Sequence, residues 1–247
     1  MRGGFAAGDR APAGTQAAGR GVAEIMRRPE IGRRRVSLVV DMTATFNAQN
    51  ALALDEQAQD LLFREARTAN AFTDEPVTDE QIRAIFDLVK WAPTSMNIQP
   101  LRAIVIRSEE AKARLLPLLA EGNRAKTAAA PAVALLAADI DFHDELPTQF
   151  PHFPGARDLF AGDEDARVST AELNAGLQIG YAIIGIRAAG LAAGPMTGFD
   201  AEAISREFFP DGRHRVLMAI NIGKPAEEGA WFDRLPRLGY DEVVETL

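Results

Sequence analysis

Residues 169–191, STAELNAGLQIGYAIIGIRAAGL, read as a long helix that is apolar on nearly every side. A helix without a polar face has to be covered all round, either by its own core or by a second subunit. Asn174, Gln178 and Arg187 make it a poor membrane span. Gly176 and Gly180, four residues apart, would let another helix approach closely. The pattern leaves a monomer core and a subunit interface equally open.

Other segments supply the layers around such a helix. DEQAQDLLFREARTA, from Asp55 to Ala69, carries Leu61, Leu62 and Ala66 on one face and predicts an amphipathic helix. In the next segment Thr78 caps and Gln81 completes a capping box. Ile82, Ile85, Phe86 and Val89 form the stripe, and Pro93 stops the helix. Strands are expected at Leu101–Arg107, Pro131–Asp139 and Arg215–Gly223, with short helices over Glu109–Leu119 and around Phe208 and Phe209. Between Ile140 and Asp163 lies a long irregular stretch rich in Phe, Pro, His and Asp, the composition of a lid or binding loop. Separated strands and helices of this kind predict an α/β or α+β sandwich. The tail from Lys224 is polar and broken by prolines, and such a tail seldom packs on its own core alone.

Composition narrows the function classes. With 47% hydrophobic and 25% charged residues the chain has the balance of a soluble globular protein. The absence of cysteine rules out disulfides, thiolate zinc sites and a cysteine nucleophile, and makes a cytoplasmic location the default expectation. Residues 1–40 hold eight arginines, no lysine and three acids, and the remainder is strongly acidic. An acidic body argues against nucleic acid as a partner, and no segment argues for a membrane. Residues 1–45 read as a disordered Arg/Gly/Ala-rich extension, and residues 46–247 as one domain. The extension is either sequence upstream of a true start at Met42 or a basic functional arm.

Familiar catalytic constellations are missing. No GxGxxG follows a strand, and neither GxxxxGK[ST] nor GxSxG occurs. His143, His152 and His214 lack helical ligand spacing, so no metal site is expected. Polar residues instead collect at the ends of elements: Arg64, Arg67, Thr68 and Asn70, then Thr94, Ser95 and Asn97, then Asn123 and Lys126, then Thr197 and Gly198, and Arg237 in the tail. Taken singly, each is an ordinary cap, turn or solvated cation.

In order along the chain, however, they sit in ARTANAF (66–72), APTSMNIQP (92–100), GNRAKTAAAP (122–131), GPMTGFD (194–200), NIGKP (221–225) and LPRL (235–238). This series resembles the FMN-dependent nitroreductase family, most closely its malonic semialdehyde reductase branch. The resemblance implies a three-layer α-β-α sandwich with a mixed, mainly antiparallel sheet, in a homodimer with exchanged C-terminal tails. It also implies tightly bound FMN reduced by NADPH or NADH. Arg67 and Arg237, with Thr68, match the phosphate end. Pro93, Thr94, Ser95 and Asn97 come from the other subunit. Lys126 and Asn123 match the pyrimidine edge, with Asn70 beside it. Pro195, Thr197 and Gly198 match the backbone facing flavin N5, where glycine permits close approach.

Two positions depart from the family pattern: Asn70 and Gly239 stand where basic residues are common, and Arg64 is a candidate replacement. The reaction implied is hydride transfer from NAD(P)H through the flavin to malonic semialdehyde (3-oxopropanoate), giving 3-hydroxypropanoate in pyrimidine degradation. Arg157 in the lid is the candidate partner for the substrate carboxylate and His152 the candidate proton donor. A broad-specificity nitro or quinone reductase and a non-catalytic flavin-binding protein are the alternatives.

Overall fold

Four strands carry the apolar runs in the computed structural model, which describes residues 52–247. They are β1 (Leu101–Ile106), β2 (Ala132–Asp139), β3 (Ala192–Met196) and β4 (His214–Gly223), in the sheet order β1-β2-β4-β3. The sheet expected to be mixed and mainly antiparallel is antiparallel in all three pairings among the described residues. The extension 1–45 and the candidate start Met42 lie outside the described residues.

The helices are α1 (Glu56–Gln59), α2 (Asp79–Val89), α3 (Glu109–Leu115), α4 (Glu121–Ala129), α5 (Leu146–Gln149), α6 (Asp158–Ala161), α7 (Glu164–Ala188), α8 (Ala201–Phe208) and α9 (Tyr240–Val243). Every residue of β2 is buried, which requires a cover on both faces of the sheet. Ala132, Ala134 and Leu136 pack with Ile85 of α2 and Ile179 and Ile186 of α7. Val133, Leu135 and Ala137 pack on the other face with Leu115 of α3 and Ile204 of α8. Burying one such branched side chain contributes roughly 1.5–3 kcal/mol, so the alternation in β2 fixes the three layers.

Several elements differ from the sequence expectation for identifiable reasons. The helix predicted over Asp55–Ala69 is α1 followed by a π-helical turn, Asp60–Arg64, and it ends there. Carbonyls that would have continued it are taken by arginines from afar: Arg187 donates to Leu61 O, and Arg234 to Arg64 O and Ala66 O. The capping box of α2 forms as expected, yet Phe86 leaves the core stripe and is 60% exposed. It shares Lys90 with Trp91, the Nζ lying 5.9 and 5.5 Å from the two ring centroids.

α4 and β3 were not expected. α4 has no side-chain cap at Ala120 and starts with poor helix formers, Gly122 and Asn123. β3 contains Gly194 and Pro195, which read as a turn; as an edge strand it tolerates the donor lost to proline. α7 starts at Glu164 rather than Ser169 because Asp163 caps Ala166 N–H. One face of it stays uncovered: Leu173, Gly176, Leu177, Gly180 and Tyr181 are exposed. In the tail, Phe232, Leu235, Leu238 and Tyr240 are exposed as well. No helix among the described residues is long and apolar enough to cross a membrane.

Candidate functional site

Residues 67–73 run as an extended segment between the β3 edge and the start of the tail. Ala69 N–H donates to Ala193 O at 3.0 Å, Asn70 N–H to Ala230 O at 3.0 Å and Thr73 N–H to Lys224 O at 2.9 Å. Gly194 permits this approach, since a Cβ there would lie 2.5 Å from Ala69 O. Against the same corner stands α4. Its Lys126 Nζ is 3.5 Å from Asn70 Oδ1, and its Asn123 Nδ2 donates to Gly198 O at 2.9 Å. Gly198 O also accepts Ala120 N–H at 2.9 Å. Thr197 and Gly198 are exposed in the turn after β3, and half-buried Pro195 leads into it. A buried hydrogen bond, Asn221 Nδ2 to Thr127 Oγ1 at 3.1 Å, ties α4 to β4 one residue beyond Lys126.

The other end of the corner is cationic. Arg67, Thr68, Asn70, Arg234 and Arg237 line a cavity of about 230 Å³. Arg67 Nε is buried and has no hydrogen-bond partner among the described residues, a costly state for a charged group left unanswered. Arg237 Nη1 is held by Leu235 O and Pro236 O at 3.0 and 3.1 Å. Arg64, the candidate replacement cation, does not line this cavity and is bonded to Asp60 and Gln59. Arg234 is the extra guanidinium that lines the cavity.

A second set of candidate residues lies apart. Pro93 opens a 3₁₀ turn, Ser95–Asn97, in which Ser95 N–H donates to Asn174 Oδ1 at 2.8 Å and Thr94 Oγ1 accepts Gln99 N–H at 3.2 Å. Leu101 N–H donates to Gln178 Oε1 at 2.9 Å, so amides on the inner side of α7 hold both ends of the loop. Asn97 Nδ2 donates to Gln149 O at 2.9 Å. Among the described residues no hydrogen bond joins this loop to Arg67, Lys126 or Gly198.

The lid residues sit with the loop rather than with the cationic corner. Arg157 Nε and Nη2 both donate to Asp144 Oδ1, at 3.1 and 2.9 Å, and this bonding holds the Asp144 carboxyl below the usual carboxylate range. His152 rests on Phe150, ring centroids 3.8 Å apart. The lid is anchored at its base by Asp139, 1% exposed, which binds Arg102 and Arg213. A larger groove of about 750 Å³ lies between α8 and the start of β4, but its charged groups are already paired: Arg206 with Glu202, His214 with Asp211, Arg215 near Glu164 and Glu172.

Sequence reasoning passed over Arg234, Gln149 and the roles of Asn174 and Gln178. Arg234 directly precedes LPRL, and Asn174 and Gln178 are a polar pair one turn apart in an apolar helix. Both were visible signals.

Residues 63–224 match the nitroreductase family. A Streptomyces griseus protein named "Putative NADH dehydrogenase/NAD(P)H nitroreductase" is 61% identical over 197 residues, 80% of this chain and 100% of that protein. A Leptothrix cholodnii protein of the same name is 48% identical over 195 residues, 79% of this chain and 98% of its own. Among solved structures, a Bacillus subtilis chain described as "putative nitroreductase ydfN" is similar at a TM-score of 0.69 and 26% identity, covering 75% of this chain and 97% of that one. An Exiguobacterium sibiricum chain described as a "putative nitroreductase in complex with FMN" gives a TM-score of 0.67 at 23% identity, with 79% and 98% covered.

Proposed function

The chain belongs to the nitroreductase family, and from that premise we propose that residues 46–247 form the FMN domain of a homodimeric oxidoreductase drawing hydride from NADPH or NADH. The observation that carries the FMN reading is Arg67, which lines one cavity with Arg237 and whose buried Nε has no partner among the described residues. That end suits a phosphate, and the amide-rich end at Asn70, Asn123, Lys126 and Gly198 suits a ring with donors and acceptors on its edge.

Bound FMN supplies the hydride chemistry. Arg67 and Arg237, with Thr68, hold the phosphate. Lys126, oriented by Asn70, offers positive charge to the pyrimidine edge, where negative charge develops. The bonds from Asn123 and Ala120 to Gly198 O fix the turn whose N–H groups face the ring. No side chain has to act as a nucleophile.

Pro93, Thr94, Ser95 and Asn97 reach the site from a second copy docked on the exposed face of α7. A Cβ at Gly176 or Gly180 meets nothing within 4 Å, which leaves room for another helix. The exposed apolar residues of the tail are covered in the same assembly by exchange between subunits.

For the acceptor, 3-oxopropanoate is the reading favoured by the ordered motifs from ARTANAF to LPRL, with Arg157 exchanging Asp144 for the substrate carboxylate and His152 supplying the proton. The names of the relatives support a second reading, a broad-specificity nitro or quinone reductase. Anaerobic reduction by NADPH, followed by mixing with 3-oxopropanoate, a nitroaromatic and a quinone, ranks them. Arg157→Ala should raise KM for the acid aldehyde and spare a neutral one. Equal loss on both removes the carboxylate role. A yellow protein that neither NADPH nor NADH can bleach is a flavin-binding protein without catalysis.

A further inference from the structure

Met96, Asn97 and Gln99 all hold left-handed backbone angles, φ 50°, 54° and 41°, with no glycine among them. Such angles are costly for residues with a side chain and persist only where the surroundings hold them. Here the surroundings are a cluster of amides. Gln99 Nε2 donates to Asn97 Oδ1 at 3.0 Å and to Gln149 Oε1 at 2.9 Å, and Asn97 Nδ2 donates to Gln149 O at 2.9 Å.

Gln149 ends α5, and the aromatic part of the lid, Phe150, His152 and Phe153, follows it directly. Asn174 and Gln178 hold the two ends of the loop to α7, so residues 96–99 are fixed at both ends while Asn97 and Gln99 bond Gln149. Asn97 spends one of its two N–H donors and one of its two carbonyl lone pairs inside the cluster. One of each remains, so its amide can bind a ligand and the lid at once.

We infer that Gln149 is a positioning residue: together with Gln99 it ties the lid to Asn97, so that a ligand bound at Asn97 orders residues 150–156 and thereby controls how an acceptor reaches the site. The inference rests on the proposed FMN-facing role of Asn97. Gln149 itself touches no ligand. The coupling runs by two routes, the side-chain relay through Gln99 Nε2 and the direct bond from Asn97 Nδ2 to Gln149 O, and the lid amides that report it are Phe150, Phe153 and Ala156, which donate to Leu146 O, Phe150 O and Phe153 O.

The test is hydrogen–deuterium exchange at those amides, with and without FMN, in the full chain and in Gln149→Ala, alongside FMN affinity from flavin fluorescence. In the unaltered protein FMN should slow lid exchange by about fivefold or more, the worth of one net hydrogen bond. Gln149→Ala keeps the backbone O that Asn97 binds and removes the Gln99 bond, so it should bind FMN within about twofold of the unaltered protein and lose about half or more of that slowing. Gln99→Gly, which relieves the positive φ while cutting the same link, should behave alike. Full FMN-dependent slowing in both variants overturns the inference, as does tight FMN binding that leaves the unaltered lid unchanged. Absence of FMN binding in the unaltered protein is a separate outcome: it overturns the flavin reading, and the coupling with it.

Discussion

Asn174 Oδ1 accepts the Ser95 N–H at 2.8 Å, tying the middle of α7 to the turn that follows Pro93. Asn174 is buried, and its Nδ2 donates to Thr170 O at 2.8 Å. Replacing it with leucine keeps the branching at Cγ and leaves the Ser95 N–H unanswered, so Asn174→Leu should lose about 1–3 kcal/mol in urea denaturation. An unchanged denaturation midpoint contradicts the role assigned to the bond.

At Gly198 the constraint is space. A Cβ there falls 2.7 Å from Asn123 Nδ2, so Gly198→Ala has to displace the Asn123 amide that donates to Gly198 O. FMN affinity should fall by about tenfold, the equivalent of 1.4 kcal/mol, while thermal stability changes little at this exposed turn. Isothermal titration of the FMN-free protein with FMN measures it. An unchanged Kd places the flavin elsewhere.

The uncovered face of α7 makes a prediction about assembly. Gly180→Glu puts a charge between Leu173, Gly176, Leu177 and Tyr181 where the proposed second copy packs, and it should shift sedimentation from dimer to monomer. Because Ser95 and Asn97 are proposed to reach the site from the other subunit, FMN retention should fall in parallel. A monomer that still holds FMN tightly contradicts the shared site.

The lid should respond to acid. Bonding from Arg157 lowers the Asp144 pKa, so the contribution of this pair is complete above the ordinary carboxylate range and is lost as pH falls through the lower folded-state value. Limited proteolysis within residues 150–160 should therefore accelerate below about pH 4. Asp144→Asn should show fast cleavage at neutral pH and little further change on acidification. A pH profile identical to that of the unaltered chain removes the pair from the account.

Much of this architecture is legible in the residues because local signals and packing agree. Thr78 and Gln81 announce α2, and the unbroken apolar run in β2 announces a strand covered on both faces. Elements were hidden where long-range contacts override local preference. Arg187 and Arg234 convert the end of the first helix into a π turn, and the edge position of β3 lets Gly194 and Pro195 lie in a strand. For the candidate site, the ordered motifs supply the candidates, and the structure brings Arg67, Asn70 and Arg237 to one cavity with Lys126 beside Asn70. No local pattern could reveal that Arg157 is held by Asp144, because that pairing depends on how the lid closes on itself.

The corner between Arg67 and Gly198 is proposed to bind FMN and to place it for hydride from NAD(P)H. Anaerobic stopped-flow absorbance of the FMN-loaded protein, and of Lys126→Gln, mixed with NADPH or NADH tests this. Single-turnover bleaching of the flavin is expected in the unaltered protein, slowed by about ten- to a hundredfold in the variant as a preorganised charge is lost. A flavin that stays oxidised with either nucleotide, or that bleaches equally fast without Lys126, contradicts it.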